Sequence, residues 1–525
     1  MNTDAKEYVG AIAAPISTGG NSIRRMQIIG ILSVIAAAFP LVAFPEEGKI
    51  LIDALFKWMT HSFDVVFLSI PIISIIFLTY LAFSRYGNIK LSSDQDAPAE
   101  FSMSSWAMMV FLAGLATGLM LWAGTEWGYH YAWTPFGIEA NSMEMYTVGQ
   151  AYGLFHWGPS AWAIYCVPAI AMSYIFYVRK KHIYNLSEAC RGALGDLVDG
   201  RLGSVINYMF IFGMLGAAAT SLGLGTPMIS LAAAHVLGVE PGLTMDIAVI
   251  LVCTAVFTVS SGLGLAKGIK RLSIFSTFVT VGIVVYILLV GPTHFIMGLG
   301  FDSVGYVVEN FIKMSTWTDS INKSGFPQAW TIFYWAWWIA YAPFVGMFVT
   351  RISYGRTIRE VIVGMLVFGT IGCAMFYVVL GGYGIDLQMT GQLNVSEIVN
   401  NDGGPAAMLE IFKTLPGAFL LIACLAVSGI VLLATTFDSA AYVLACTTST
   451  ALDEGQEPAK SNRLFWCLVI TILPLALLFV GGLKSLQTVS IIVALPLILI
   501  LFCMIITTIK YMNEDRAMLA DRLQD

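Results

Sequence analysis

The sequence predicts an all-α integral membrane protein with twelve transmembrane helices. Three observations predict it. Of 525 residues, 58% are hydrophobic and only 11% charged; the mean hydropathy is +0.78; and apolar runs such as 63–83 and 273–297 reach the roughly 20 residues a helix needs to cross a bilayer. A water-soluble core cannot bury that much apolar surface. A net charge of −6 without a basic tract argues against a nucleic-acid partner and leaves membrane lipid and a small solute.

Residues 1–26 lack a continuous apolar stretch and read as a cytoplasmic tail ending in Arg24-Arg25 rather than a cleaved signal peptide. Apolar segments bounded by charge, proline or glycine then fall at about 27–44, 63–83, 105–124, 147–177, 203–236, 245–260, 273–298, 328–350, 361–382, 415–436, 464–482 and 487–509. The fifth contains SLGLGTP, Ser221 to Pro227, which predicts a bent or broken span. These divide the chain into two peripheral spans with their loop (27–104), a first five-helix unit (105–298), a periplasmic connection (299–327), a second five-helix unit (328–510) and a short tail (511–525). With the N-terminus inside, inner loops and tails hold 21 of the 27 Lys and Arg residues. The positive-inside rule therefore puts both termini in the cytoplasm.

The eight cysteines are scattered without metal-ligand spacing and read as small core residues. No HExxH, GxSxG or P-loop pattern occurs, so neither an enzyme nor a bound cofactor is expected. Nor is any loop long enough to hold a soluble signalling domain.

Irregular backbone at membrane depth persists only where it lines a cavity or is covered by protein. Two candidate interruptions stand out: Gly114-Leu115-Ala116-Thr117-Gly118 in the third span and Ala340-Tyr341-Ala342-Pro343-Phe344 in the eighth. Glycines let another backbone or an ion approach closely, and a proline frees a carbonyl one turn back. The two lie five spans apart, each opening a five-helix unit. An odd number of spans per unit forces opposite topologies, so the expected architecture is a five-plus-five inverted repeat, and the expected activity is transport.

Four of the thirteen tryptophans lie within WTIFYWAWWIAYAPF on the eighth span. Trp330 is expected at the membrane interface. Trp335 and Trp338 share a helical face that Tyr341 continues, and Trp337 lies on the neighbouring stripe. The fourth span adds Trp157, Trp162 and Tyr165 in HWGPSAWAIY, and TEWGYHY adds Tyr129. Clustered ring faces attract a cation without needing hydrogen bonds from it, which suits a trimethylammonium group. Glu126, His156 and Asp438 are the ionisable candidates within the spans. Glu126 and His156 are expected to form one polar pair.

The stretch WTIFYWAWWIAYAPFVGMFVTRISYGRTIRE resembles the betaine/choline/carnitine transporter family, and the likeness runs from about 27 to 510. The resemblance implies a sodium-coupled leucine-transporter-like core in helices three to twelve, a homotrimer in the bacterial inner membrane, and import of a cationic or zwitterionic betaine by alternating access. It maps the family's substrate box onto Trp157, Trp162, Tyr165 and Trp338. Carnitine-type members also use aromatics matching Tyr129 and Trp337, and like them this chain has Tyr341 where many betaine members carry tryptophan.

The resemblance further implies Na+ as coupling ion. Thr435 and Thr436 match the family's sodium-ligating hydroxyls, with carbonyls of Leu112, Leu115 and Leu432 completing the site. Sodium-independent exchangers carry an arginine and a methionine in place of ions; Ser276 and Val345 stand there in this chain, which favours sodium. The family's GMGIG-like stretch reads GLATG, and Met214 and Ala218 replace the threonines of a second sodium site, which leaves one sodium, or a proton, as open as two.

Overall fold

The computed structural model describes residues 20–92, 97–114, 117–181, 185–263, 266–449, 458–480 and 483–515. The described chain is helical, with one isolated antiparallel bridge between Lys90 and Thr357. Nine of its helices are long and apolar enough to cross a membrane, and Leu243–Val259 and Ile274–Val290 are shorter apolar helices.

Three helices, α1 (Gly20–Ala43), α2 (Pro45–Ser62) and α3 (Asp64–Phe83), come first. α4 (Met103–Gly114) and α5 (Thr117–Ala132) flank Leu115 and Ala116, so the interruption expected at GLATG lies outside the described residues; α5 carries TEWGYHY well past the predicted end of the third span. The predicted fourth span is two helices, α6 (Glu144–His156) and α7 (Pro159–Ser173), parted at Trp157-Gly158. Gly158 is extended (φ −90°, ψ −151°) and Pro159 opens α7, the position where a missing N–H costs nothing.

The next helix, α8 (Arg201–Leu237), runs through SLGLGTP with Pro227 inside it, so the chain is not broken there. It is followed by α9 (Leu243–Leu263), α10 (Ala266–Val290) and α11 (Thr293–Thr316). The tryptophan-rich segment forms α12 (Thr331–Ile352), also continuous across Pro343. That corrects the second expected interruption. α12 makes its most extensive packing with α7, where a Cβ on Gly346 would sit 2.8 Å from Pro168 Cβ. Two proline-bearing helices locked this closely keep the helical path despite a lost ladder bond.

The ninth span, α13 (Ile358–Met389), opens with a capping box of Thr357 and Glu360 and contains π-helical turns at Met365–Gly369 and Tyr377–Gly381. Such turns displace side chains out of helical register and recur at functional sites. Short helices α14 (Val395–Asn401) and α15 (Gly404–Lys413) lead into α16 (Ala418–Thr447), α17 (Lys460–Val480) and α18 (Leu483–Glu514).

The end of α18 is clamped. Arg179, just past α7, contacts Asp515 at 2.8 Å and Glu514 at 2.7 Å, and its guanidinium lies 3.4 Å from the Tyr511 ring centroid. Burial opposes the Arg179 charge, but the two carboxylates more than offset it and raise its pKa. Tyr174 donates to Asp515 and Tyr86 donates to Asn513, so three parts of the chain hold the last turn.

Candidate substrate site

The parting of α6 from α7 sets the site's geometry. In an unbroken helix the His156 carbonyl would accept from residue 160. The turn at Gly158-Pro159 releases it, and Trp338 Nε1 of α12 takes it up at 2.9 Å. One hydrogen bond thus fixes the indole of Trp338 against the broken span.

Ring contacts follow from that anchor. Trp157 and Trp338 meet edge to face with centroids 4.6 Å apart, Trp337 stacks on Trp338 at 4.9 Å, and Tyr165 closes on Trp338 at 5.8 Å. Trp162 meets Tyr165 edge-on, also at 5.8 Å. The structure therefore brings five predicted site residues into one cluster: Trp157, Trp162, Tyr165, Trp337 and Trp338. Trp157 and Trp338 each keep 5% of their surface, whereas Trp335 keeps none. Trp335 instead packs on Phe155 and His156, which makes it a core neighbour.

Glycines make room for these rings. A Cβ on Gly118 would stand 3.1 Å from the Trp337 ring, so the second glycine of GLATG lets Trp337 approach the start of α5. A Cβ on Gly369, at the end of the first π turn, would overlap the Trp162 ring, and one on Gly153 would overlap that of Tyr377.

Two predicted residues sit outside the cluster. Tyr129 packs on Trp330 at 5.2 Å and Trp122 at 6.1 Å, and its hydroxyl accepts the Gly404 N–H at 2.9 Å; it belongs to an outer layer over the box. Tyr341 donates to Ser221 on α8 at 2.9 Å and packs against Phe344. Trp330, expected at the interface, is buried instead, because α5 covers it through Trp122, Tyr129 and His130.

Behind the box lies a polar knot that composition alone does not reveal. Glu126 and His156 pair at 2.7 Å, as expected, and the other carboxylate oxygen accepts from Tyr334 at 2.7 Å and Tyr377 at 2.5 Å. His156 Nε2 faces Thr331 Oγ1 at 3.1 Å, and His130 lies 3.9 Å from the carboxylate. All are buried. Tyr334 and Tyr377 both flank Trp157, with centroids 6.1 and 6.0 Å away. Sequence reading overlooked these two tyrosines. Tyr334 was visible inside WTIFYWAWW, but Tyr377 has no local signal beyond the π turn it begins.

Around the expected sodium ligands, Thr435 and Thr436 both donate to the Leu432 carbonyl of α16, at 3.1 and 2.9 Å. Donation uses the hydroxyl hydrogens and leaves oxygen lone pairs free. Leu112 lies in the last turn of α4; Leu115 lies outside the described residues. Asp438, two residues after Thr436, is half-buried.

The BCCT, or betaine/carnitine/choline transporter, family matches residues 25–517 of this chain. Similar proteins include a carnitine transporter of Acinetobacter baumannii, 32% identical over 95% of this chain and 90% of its own. A probable glycine betaine transporter of Desulfitobacterium hafniense is 34% identical over 93% and 97%. The uncharacterized transporter YeaV of Escherichia coli is 35% identical over 83% and 91%. Family and relatives are transporters, not enzymes. With a match that covers almost its whole length, this multi-pass membrane protein belongs to the betaine/carnitine/choline transporter family.

Proposed function

We propose that the chain imports a betaine-type quaternary-ammonium solute, of the glycine betaine, choline or carnitine class, by sodium symport with alternating access. The observation that carries this reading is the convergence of Trp157, Trp337, Trp338 and Tyr165. A desolvated ring cluster attracts a cation that has no N–H to donate. A sulfonium such as dimethylsulfoniopropionate offers the same headgroup chemistry and is the nearest rival. The carnitine and glycine betaine relatives support the substrate class.

The architecture that goes with this reading has twelve spans, a five-plus-five inverted repeat built on a leucine-transporter-like core, both termini in the cytoplasm of a bacterial inner membrane, and a homotrimeric assembly. For the ion, the lone pairs of Thr435 and Thr436, with the Leu112, Leu115 and Leu432 carbonyls, would supply a neutral oxygen set suited to sodium.

The deciding experiment is uptake of labelled glycine betaine, choline, carnitine and dimethylsulfoniopropionate into proteoliposomes, with sodium and proton gradients imposed separately. Uptake of an ammonium solute driven by sodium alone is expected, and Thr435→Ala with Thr436→Ala abolishes it. Uptake driven by a proton gradient alone overturns the sodium assignment and moves coupling to the Glu126–His156 pair. Accumulation of none of the four overturns the substrate class.

A further inference from the structure

Among the described residues, no side-chain amine or guanidinium stands within ion-pair distance of Glu126. Within 4 Å its ion-pair partners are His156 and His130, and its other hydrogen-bond partners are the Tyr334 and Tyr377 hydroxyls. The groups facing it are thus His130 on its own helix α5, His156 on α6, Tyr334 on α12 and Tyr377 on α13, with Thr331 of α12 on the far nitrogen of His156. No Lys or Arg stands among them.

Buried acids in a membrane protein are costly and persist where the charge has a task. Three donors converge on this carboxyl: two phenols on one oxygen and an imidazole on the other. Such a shell stabilises the ionised form, which only accepts. An imidazole that donates from Nδ1 to Glu126 and accepts from the Thr331 hydroxyl on Nε2 satisfies both contacts, and in that tautomer the knot carries one net negative charge.

That charge lies directly behind the box. Tyr334 stacks along Trp338 at 5.8 Å and meets Trp157 edge-on; Tyr377 meets Trp157 from another side. The backbone carbonyl of His156 holds the Trp338 indole. Every link between the carboxylate and the two central tryptophans is a single ring or a single residue.

We infer that Glu126 is the counter-charge of the aromatic box, a specificity-determining residue that acts from behind the rings and makes the site select a cationic headgroup over an uncharged one of the same shape. The inference rests on the quaternary-ammonium reading above. A ring cluster alone favours a cation modestly and also takes a tert-butyl group by apolar contact. A fixed anion two rings behind, at about 10 Å and an effective dielectric of about 20, adds roughly tenfold to the preference for the cation and nothing for the neutral isostere.

The test uses the full-length protein in nanodiscs and paired solutes that differ by one atom at the headgroup: glycine betaine against 3,3-dimethylbutanoate, and choline against 3,3-dimethylbutan-1-ol. Affinities come from displacement of the labelled ammonium partner. The wild type is expected to prefer each ammonium solute. E126Q keeps the acceptor for both tyrosines and is expected to lower that preference about tenfold, with affinity for the carbon isosteres unchanged. Equal weakening of both members of a pair, or an unaltered ratio, means that Glu126 only staples helices together, and overturns the inference. Should E126Q fail to fold, E126Q/H156Q replaces the carboxylate–imidazole pair with an amide pair and is read the same way. A wild type without preference for ammonium defeats the substrate reading itself, and so is distinguishable from failure of the Glu126 assignment.

Discussion

Trp338 carries the box, and replacing it with leucine tests the geometry most directly. Its indole stacks on Trp337, meets Trp157 and Tyr165 at their edges, and donates to the His156 carbonyl. A desolvated cation over an indole face is worth about 2 kcal/mol; Trp338→Leu removes that face, so affinity should fall about thirtyfold. Trp338→Phe keeps a ring but loses the N–H, orphaning a buried carbonyl; an intermediate loss of about fivefold is expected. Binding of labelled glycine betaine, choline and carnitine to purified protein measures both, with the thermal midpoint recorded alongside, because the cavity and the lost bond cost stability too. The reasoning fails if Trp338→Leu binds within about twofold of the wild type, or if Trp335→Phe, a core change away from the cluster, weakens binding as much.

Gly369→Ala should push a methyl into the Trp162 ring and weaken solute binding about tenfold or more, an overpacking cost of roughly 1–3 kcal/mol; unchanged binding would detach Trp162 from the site. Tyr129→Phe removes the hydroxyl that accepts the Gly404 N–H; slower uptake is expected with ammonium affinity changed less than about fivefold, as for one hydrogen bond worth about 1 kcal/mol or less, checked by initial rates against equilibrium binding. Truncation after Asp515 should leave uptake and the thermal midpoint unaltered, whereas truncation after Tyr511, or Arg179→Ala, should lower the midpoint by a few degrees because the half-buried Arg179 clamp is lost. Equal behaviour of the two truncations contradicts the clamp.

Much of this protein is readable before any coordinates, because a bilayer imposes one simple demand: long apolar helices. Breaks are harder. At GLATG, Leu115 and Ala116 lie outside the described residues, with helix on either side. Pro343 does not interrupt α12, since the close fit of Gly346 on Pro168 holds the helix together, and no local pattern reports what stands on the far side of a proline. Gly158-Pro159 was the missed signal: a turn dipeptide inside a run that its hydrophobicity made look continuous. Trp157, Trp162, Tyr165, Trp337 and Trp338 were legible as a set because aromatic crowding on buried helices is rare. Tyr377 was not, since a π turn on α13 aims it, and register shifts of that kind leave no periodic trace. Tyr129 and Tyr341 were named, yet hydrogen bonds to Gly404 and Ser221 tie them to other elements.

The released carbonyl of His156 couples the turn in the fourth span to the aromatic cluster. One hydrogen bond joins the turn at Trp157-Gly158-Pro159 to the Trp338 indole. Any rotation of α6 away from α12 would break that bond and free the indole at the same instant. On the transport reading proposed above, holding the solute and holding the turn would then be a single latch.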